Sequence, residues 1–248
     1  MKRSIISALL LCGTASPVFA GSAGRAIETK TGKSAAPTKE DGADYFSEKS
    51  GGVTPAAARE ADQLRVKTMD SIRTLLADKK NSRQEYELML RLGELHVERG
   101  DFMRDLEIQA YVTAYDAWDK SDPKTRAKNP PQASYKNSEA CLYNAVQVFR
   151  KLVNKFPTHP RSDAALYSLA RTLGRLDDDN AVQYYKQLIT SHPKSPLIPD
   201  AWLAMGEFYF DKHKVDDATL AYQKVMDFKT HKAYPYAVYK LGWCFYNS

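Results

Sequence analysis

The side chains with the richest chemistry in this sequence are not spaced as the common catalytic and metal sites require. A Gly-Lys-Ser run at positions 32–34 matches the end of a phosphate-binding loop, but Ile27 stands where the first glycine is needed. The acidic run at positions 177–179 lacks the alternating ligands of a calcium loop and is typical of a helix start. The five histidines share no helix face at ligand spacing: His96, His159, His192, His213 and His231. We therefore expect no enzyme activity, no metal and no cofactor.

Three cysteines are present, and their positions argue against a disulfide. Cys12 lies within the first twenty residues, which we expect to be removed (below). Cys141 and Cys244 are more than a hundred residues apart and fall in different helical units. Because units of a repeat array contact mainly their neighbours, we expect two unpaired, buried thiols.

The first twenty residues have the pattern of a secretory signal peptide. Lys2 and Arg3 precede an apolar run, and a small-residue cleavage pattern ends at Ala20. Lipid attachment to Cys12 is the alternative, but Leu11 occupies the place where a small residue normally stands. The apolar run is too short to span a bilayer, and no later stretch is long enough. We predict export to the periplasm after cleavage at Ala20, without a transmembrane helix.

Composition and charge restrict the class of partner. The chain is 43% hydrophobic and 27% charged, which is enough apolar material for a core, and its formal net charge is +6. A modest positive charge favours anionic surfaces such as phospholipid headgroups, so peripheral association with a membrane, including the outer membrane, stays open. In an exported protein this charge is no argument for nucleic acid, which we do not expect as a partner.

Four regions follow the signal peptide. Residues 21–53 have almost no apolar side chains and predict a disordered leader. Residues 54–120 predict N-terminal helices: one from Pro55 to Asp78, then a degenerate hairpin whose first helix stops at Gly100 and whose second ends at Trp118. Residues 121–136, rich in Pro and Lys, predict an exposed connection without helix.

A repeat of 36 positions dominates residues 137–248. Leu169-Ala170, Met205-Gly206 and Leu241-Gly242 recur at this period in one series of helices. A second series carries small, aromatic and aliphatic residues in order: Ala145, Phe149, Leu152; Ala181, Tyr185, Leu188; Ala218, Tyr222, Val225. The predicted helices are 138–156, 162–176, 180–191, 199–212, 216–228 and 235–247. The fold class is all-α, a helical-hairpin repeat solenoid, and the last hairpin lacks its second helix, so we expect the sequence to be a fragment.

The pattern of bulky, Leu-Gly and aromatic positions in one helix, followed by Ala, aromatic, aliphatic and Pro in the next, resembles the tetratricopeptide repeat. Trp202, Gly206, Tyr209, Ala218 and Tyr222 give its clearest copy. With the signal peptide, the chain is similar to periplasmic repeat proteins of Gram-negative bacteria, including BamD-like assembly lipoproteins, Tol-Pal coordinators and myxobacterial gliding-motility proteins. The resemblance implies a protein-protein interaction scaffold of the cell envelope.

In such a repeat the first helices line a concave face. Counting along them predicts a face that binds envelope proteins or peptides through nine residues: Tyr167, Arg171, Leu203, Glu207, Phe210, Tyr236, Tyr239, Trp243 and Tyr246. Two other functions stay open. The chain is a structural component of an envelope or motility machine that stacks on neighbouring subunits, or it is the accessory repeat region of a longer protein with another activity.

Overall fold

The computed structural model describes residues 54–78, 84–126 and 130–246, and every regular element in these ranges is a helix. The predicted signal peptide, the leader and Cys12 lie outside them. The all-α repeat fold is confirmed. The helices are α1 (Pro55–Ala77), α2 (Glu85–Asp119), α3 (Pro123–Arg126), α4 (Lys136–Lys155), α5 (Ser162–Arg175), α6 (Asn180–Ser191), α7 (Ile198–Asp211), α8 (Val215–Val225) and α9 (Ala233–Tyr246).

Helix α1 begins as its sequence predicts. The Thr54 side chain accepts a hydrogen bond from the Ala57 amide at 3.3 Å, and Pro55 occupies the first helical position. Only a narrow stripe of α1 is buried, with Met69 and Ile72 packed in one cluster with apolar residues of α2. The helix therefore depends on α2 for most of its stability.

The break predicted at Gly100 is wrong, because α2 is one continuous helix of 35 residues. Gly100 is buried, and a Cβ atom at this position would lie 3.1 Å from Leu142 and 3.3 Å from the Ser138 carbonyl oxygen of α4. The glycine thus serves close helix packing and does not end the helix. The predicted hairpin between Ser82 and Trp118 does not form.

Residues 85–107 of α2 pair with α4 as the first hairpin. Phe149 of α4 lies against Gly93 of α2, where an added Cβ would come within 2.6 Å of the ring carbon Cζ. Glu107 of α2 also caps α4: its carboxylate accepts from the Asn137 amide at 2.7 Å and from the Ser138 hydroxyl at 2.6 Å. Between the two helices the predicted helix-free connection contains the short helix α3.

Two further hairpins follow, α5 with α6 and α7 with α8, and α9 packs on α7 and α8. The predicted bounds of α6 agree with the structure, and the other helices from α4 onward differ by one to three residues. The small, aromatic and aliphatic positions of the second helices are fully or almost fully buried. These residues form the core that the repeat predicted.

The turns repeat with the same period as the helices. His159, Ser195 and His231 are 36 positions apart, and the side chain of each accepts a hydrogen bond from the amide two residues later, at 3.2 Å. Asp177 and His213, also 36 apart, both adopt left-handed backbone angles, with φ of 60° and 58°. Each follows the last turn of a first helix, where this conformation caps the carbonyl groups.

Candidate functional site

The nine residues of the predicted face lie on the three first helices α5, α7 and α9, and they form two groups that differ in exposure. The first group, on α9, is an exposed row of aromatic side chains: Tyr236, Tyr239, Trp243 and Tyr246. The second group is half-buried and takes part in packing: Tyr167, Arg171, Leu203, Glu207 and Phe210. Whether either group binds a partner stays a prediction.

The four exposed residues of α9 form what we call the aromatic ladder. Spacings of three and four residues place them on one side of the helix. Successive ring centroids are 6.4, 6.3 and 6.1 Å apart from Tyr236 to Tyr246, within the range of mutual aromatic contact. Tyr239 is 58% exposed and Tyr246 is 83% exposed. The ladder is therefore a row of preorganised apolar surface in contact with solvent.

The ladder is held in place by the opposite side of the same helix. Ala233, Ala237 and Cys244 of α9 are buried against Ala218, Tyr222 and Val225 of α8 in one apolar cluster.

Glu207 of α7 is the centre of a polar cluster that joins three helices. Its carboxylate accepts hydrogen bonds from the Tyr222 hydroxyl of α8 and, at 3.1 Å, from the Tyr236 hydroxyl of α9. The Lys240 ammonium lies 3.1 Å from the same carboxylate and 4.5 Å from the centre of the Phe210 ring. Burial, together with the Glu207 charge, raises the pKa of both tyrosines above the ordinary value. Glu207 thus holds the hydroxyl group of Tyr236, the first residue of the ladder.

The residues of α5 contribute to the core more than to an open surface. The Tyr167 ring lies 5.9 Å from the buried Tyr185 ring in an edge-to-face arrangement, and burial raises the pKa of its phenol. Leu203 and Phe210 of α7 likewise pack against the cluster that contains Tyr222. The part of the predicted face most open to a partner is therefore the α9 end.

Two features of the site were not predicted from the sequence. The role of Lys240 depends on contacts with α7 that sequence spacing does not reveal. The second feature is a surface formed by Val238, Gly242 and Phe245 on another side of α9, all three of which are exposed. The 36-residue period is the sequence signal that could have identified this surface, because its three positions follow Trp202, Gly206 and Tyr209 by one repeat.

The cysteines and the possible metal ligands are not grouped in the described residues. Within the described ranges no group of three or more His, Cys, Asp or Glu residues is placed to hold a metal ion. Cys141 and Cys244 form no disulfide in that part of the chain, and Cys141 is half-buried where full burial was predicted. Nor does any helix of the described residues have the length and apolarity to cross a membrane.

Comparison with known families identifies one segment. Residues 164–195 match the tetratricopeptide repeat, a segment that covers nearly all of α5, all of α6 and the turn after it. No curated protein and no solved structure matches the chain significantly. The chain therefore contains a tetratricopeptide repeat, and repeats of this kind generally mediate contacts between proteins.

Proposed function

We propose that this chain is a non-enzymatic scaffold of the bacterial cell envelope that binds a partner protein or peptide through the first-helix face of its repeats. The aromatic ladder on α9 carries the proposal. Four aromatic side chains in one exposed row are unusual on a surface with no partner, and aromatic residues dominate the binding energy of protein interfaces. The matched repeat supports a protein partner over a small molecule.

The ladder favours a partner with apolar side chains at regular spacing. Neighbouring rings in contact form a continuous apolar row that suits the apolar residues of a helix or of an extended peptide. Below the ladder, the Glu207 carboxylate is already engaged by two hydroxyl groups and Lys240. Binding would therefore rest on apolar contact, with little need for a charged partner residue at this point.

The envelope location rests on the N-terminal sequence. A positively charged start, an apolar run and Ala20 support export across the inner membrane to the periplasm. Expression of the full chain in a Gram-negative host, followed by fractionation and mass determination of the mature protein, tests this. Cleavage after Ala20 and recovery from the periplasm are expected. An uncleaved cytoplasmic protein would contradict the envelope location, but it would not bear on the proposed binding face.

A pull-down from envelope extract tests the binding face. The double variant Tyr239→Ala/Trp243→Ala removes the middle of the ladder and should recover at least tenfold less of a partner that the wild type captures. Tyr143→Ala is the matched control, because this α4 tyrosine is 56% exposed and lies on a different helix. Equal recovery of the partner by the wild type and the double variant would contradict a binding role for the ladder.

Stacking on neighbouring subunits is the second candidate, and the exposed Val238, Gly242 and Phe245 surface favours it. Sedimentation of the purified chain separates the two functions. A scaffold that binds peptides stays monomeric over a wide concentration range, whereas a stacking component assembles as its concentration rises.

A further inference from the structure

Basic side chains collect where the second helices α4, α6 and α8 end. Because the hairpins of a repeat array stack in one orientation, these ends and the turns after them share one edge: residues 147–161, 183–196 and 220–232. The three segments contain nine Lys or Arg residues and a single acidic residue, Asp227. Three of the nine form ion pairs with other helices: Lys155, Arg161 and Lys232. The other six have no ion pair within the described residues, and we call them the basic edge: Arg150, Lys151, Lys186, Lys194, Lys224 and Lys229.

The helix dipole accounts for only part of this charge. Cations are favourable in the last turn of a helix, and carboxylates in the first turn, where Asp216 and Asp217 of α8 lie. Arg150, however, lies more than one turn before the end of α4. Lys194 and Lys229 lie beyond the ends of α6 and α8, where the last carbonyl groups are no longer in line. The charge therefore belongs to the whole edge and not to the helix ends alone.

The exposure of the basic edge does not depend on where the sequence ends. Lys186 of α6 and Lys194 in the turn after it are exposed, although a hairpin packs on either side of this repeat. A further repeat would lengthen the edge in the stacking direction and would leave it open. Residues 21–53 contain five basic and five acidic side chains, so this part of the chain has no net charge with which to neutralise the edge.

The side chains between the cations distinguish among anionic partners. They are mostly exposed amides and hydroxyl groups: Gln147, Asn154, Gln183, Gln187, Thr190 and Gln223. In these three fully described segments, Leu220 is the one large apolar side chain that is exposed. Protein interfaces are centred on apolar and aromatic residues and are depleted in lysine, so this composition does not favour a protein partner. A small anion is not favoured either, because the depression beside Arg150 and Lys151 is lined by α4 alone and encloses nothing.

We propose that the basic edge binds the surface of a phospholipid bilayer that contains anionic headgroups. Attraction to such a surface needs several exposed cations and no apolar anchor, and each Lys or Arg close to it strengthens binding about fivefold. The amide side chains between the cations can donate hydrogen bonds to phosphate oxygens. The edge lies on second helices, so the aromatic ladder of α9 stays free for a partner protein while the edge is bound. The proposal does not rest on the function proposed above.

Flotation of the full chain with lipid vesicles measures this binding. Vesicles of phosphatidylcholine with phosphatidylglycerol supply anionic headgroups, and vesicles of phosphatidylcholine alone report any binding through the apolar N-terminal run. The chain should bind the anionic vesicles at least about tenfold more tightly, and raising the salt concentration should remove most of this difference. Arg150→Glu/Lys151→Glu should weaken binding to the anionic vesicles at least about tenfold and leave binding to the neutral vesicles unchanged. Lys186→Glu/Lys224→Glu should have the same effect, because it changes the same edge on two other helices.

Arg59→Glu/Lys67→Glu is the matched control, because it makes the same change of net charge at two exposed residues of α1. It should bind the anionic vesicles within about threefold of the wild type. Arg150→Gln/Lys151→Gln keeps the test valid should glutamate disturb the end of α4, since Gln187 stands one repeat after Lys151.

Equal binding to the two kinds of vesicle would overturn the proposal. So would an equal loss of binding in the control and in the edge variants, which would show that only net charge matters. Polyglutamate serves as a model of an acidic protein in the same assay. If the chain bound polyglutamate through the edge and showed no preference for the anionic vesicles, the proposal would be wrong and the partner would be an acidic protein.

Discussion

The same substitution, glycine to alanine, should have opposite effects on stability at two positions one repeat apart. At Gly206 the new Cβ would lie 2.6 Å from Cδ1 and 2.9 Å from Cζ of the Tyr222 ring. These distances are about 1 Å shorter than a favourable carbon contact of roughly 3.5–4.0 Å. Tyr222 is fully buried and its hydroxyl group is bonded to Glu207, so the ring has no free direction in which to move.

The expected magnitude at Gly206 combines three effects. Overpacking in a tight core costs about 1–3 kcal/mol. Displacing the Tyr222 hydroxyl from a charged acceptor costs about 1.5–3 kcal/mol more where the bond is lost. The better helix propensity of alanine offsets about 1 kcal/mol. Where the hydrogen bond is lost, Gly206→Ala should therefore lower the free energy of unfolding by about 1.5–5 kcal/mol.

At Gly242 only the helix propensity remains. Nothing lies within 4 Å of the added Cβ, and the residue sits one turn from the end of α9. Gly242→Ala should raise the free energy of unfolding by about 0.5–1 kcal/mol. Gly174→Ala, whose Cβ would make ordinary contacts at 3.7 and 3.8 Å, is the matched intermediate case and should be near neutral.

Urea unfolding of the full chain, monitored by circular dichroism, measures the stability of all three variants. Their midpoints can be compared directly when the dependence of the unfolding free energy on urea concentration, the m value, is unchanged. The expected order of midpoints is Gly206→Ala lowest, then Gly174→Ala, then Gly242→Ala. A Gly206→Ala midpoint equal to that of the wild type would refute the argument that the glycine exists for close approach of the Tyr222 ring. A loss of stability in Gly242→Ala would mean that its face is covered in the free chain.

Three further predictions follow from single side chains. Burial, with smaller contributions from Arg73 and Arg99, lowers the pKa of His96 to about 4, so the unfolded chain, with an ordinary pKa near 6.5, binds the extra proton as pH falls. The contribution of neutral His96 to the free energy of unfolding is therefore fully present above about pH 6.5, and it should drop by about 2 kcal/mol between pH 7.5 and 5. Urea titrations of the wild type and of His96→Gln at the two pH values measure this drop, which the substitution should reduce. Tyr222→Phe should lower the free energy of unfolding, measured in urea, by about 1.5–3 kcal/mol because it removes one hydrogen bond to the charged Glu207, and no change would show that the bond contributes nothing. His213→Gly should stabilise the chain by about 0.5–1 kcal/mol, because glycine adopts a φ of 58° without strain, whereas Lys214→Gly, at φ −91°, should not raise the melting temperature.

The repeated helices could be predicted because each is specified by several independent signals. Asn180 and Ser191 bound α6 as expected, since small, aromatic and aliphatic residues recur at helical spacing between strong turn signals. The first hairpin was missed because Gly100 has two possible meanings in a sequence. Glycine ends many helices, but it also permits close packing, and only the position of Leu142 and Ser138 against it decides between the two.

The helix and the side of the helix on which each candidate residue lies could be predicted, but the contacts that each residue makes could not. Helical counting places Tyr239, Trp243 and Glu207 on related sides of first helices. It does not show that Glu207 is engaged by Tyr222, Tyr236 and Lys240, because these contacts join three helices and depend on side-chain conformation. Glu207, which helical spacing alone selected as a binding residue, thus serves to hold the exposed Tyr236 by a hydrogen bond.

Each first helix has three sides that can pack, and this explains why exposed aromatic residues gather on α9. In α7 one stripe packs on the preceding hairpin, where Ala201 and Met205 are buried, and a second is covered by α8 at Gly206. Its third stripe contains Glu207, which Tyr236 and Lys240 of α9 already contact. In α9 the corresponding third stripe is the aromatic ladder, and no later helix of the described residues lies beyond it. Among the first helices of the described residues, α9 therefore exposes the most large apolar side chains.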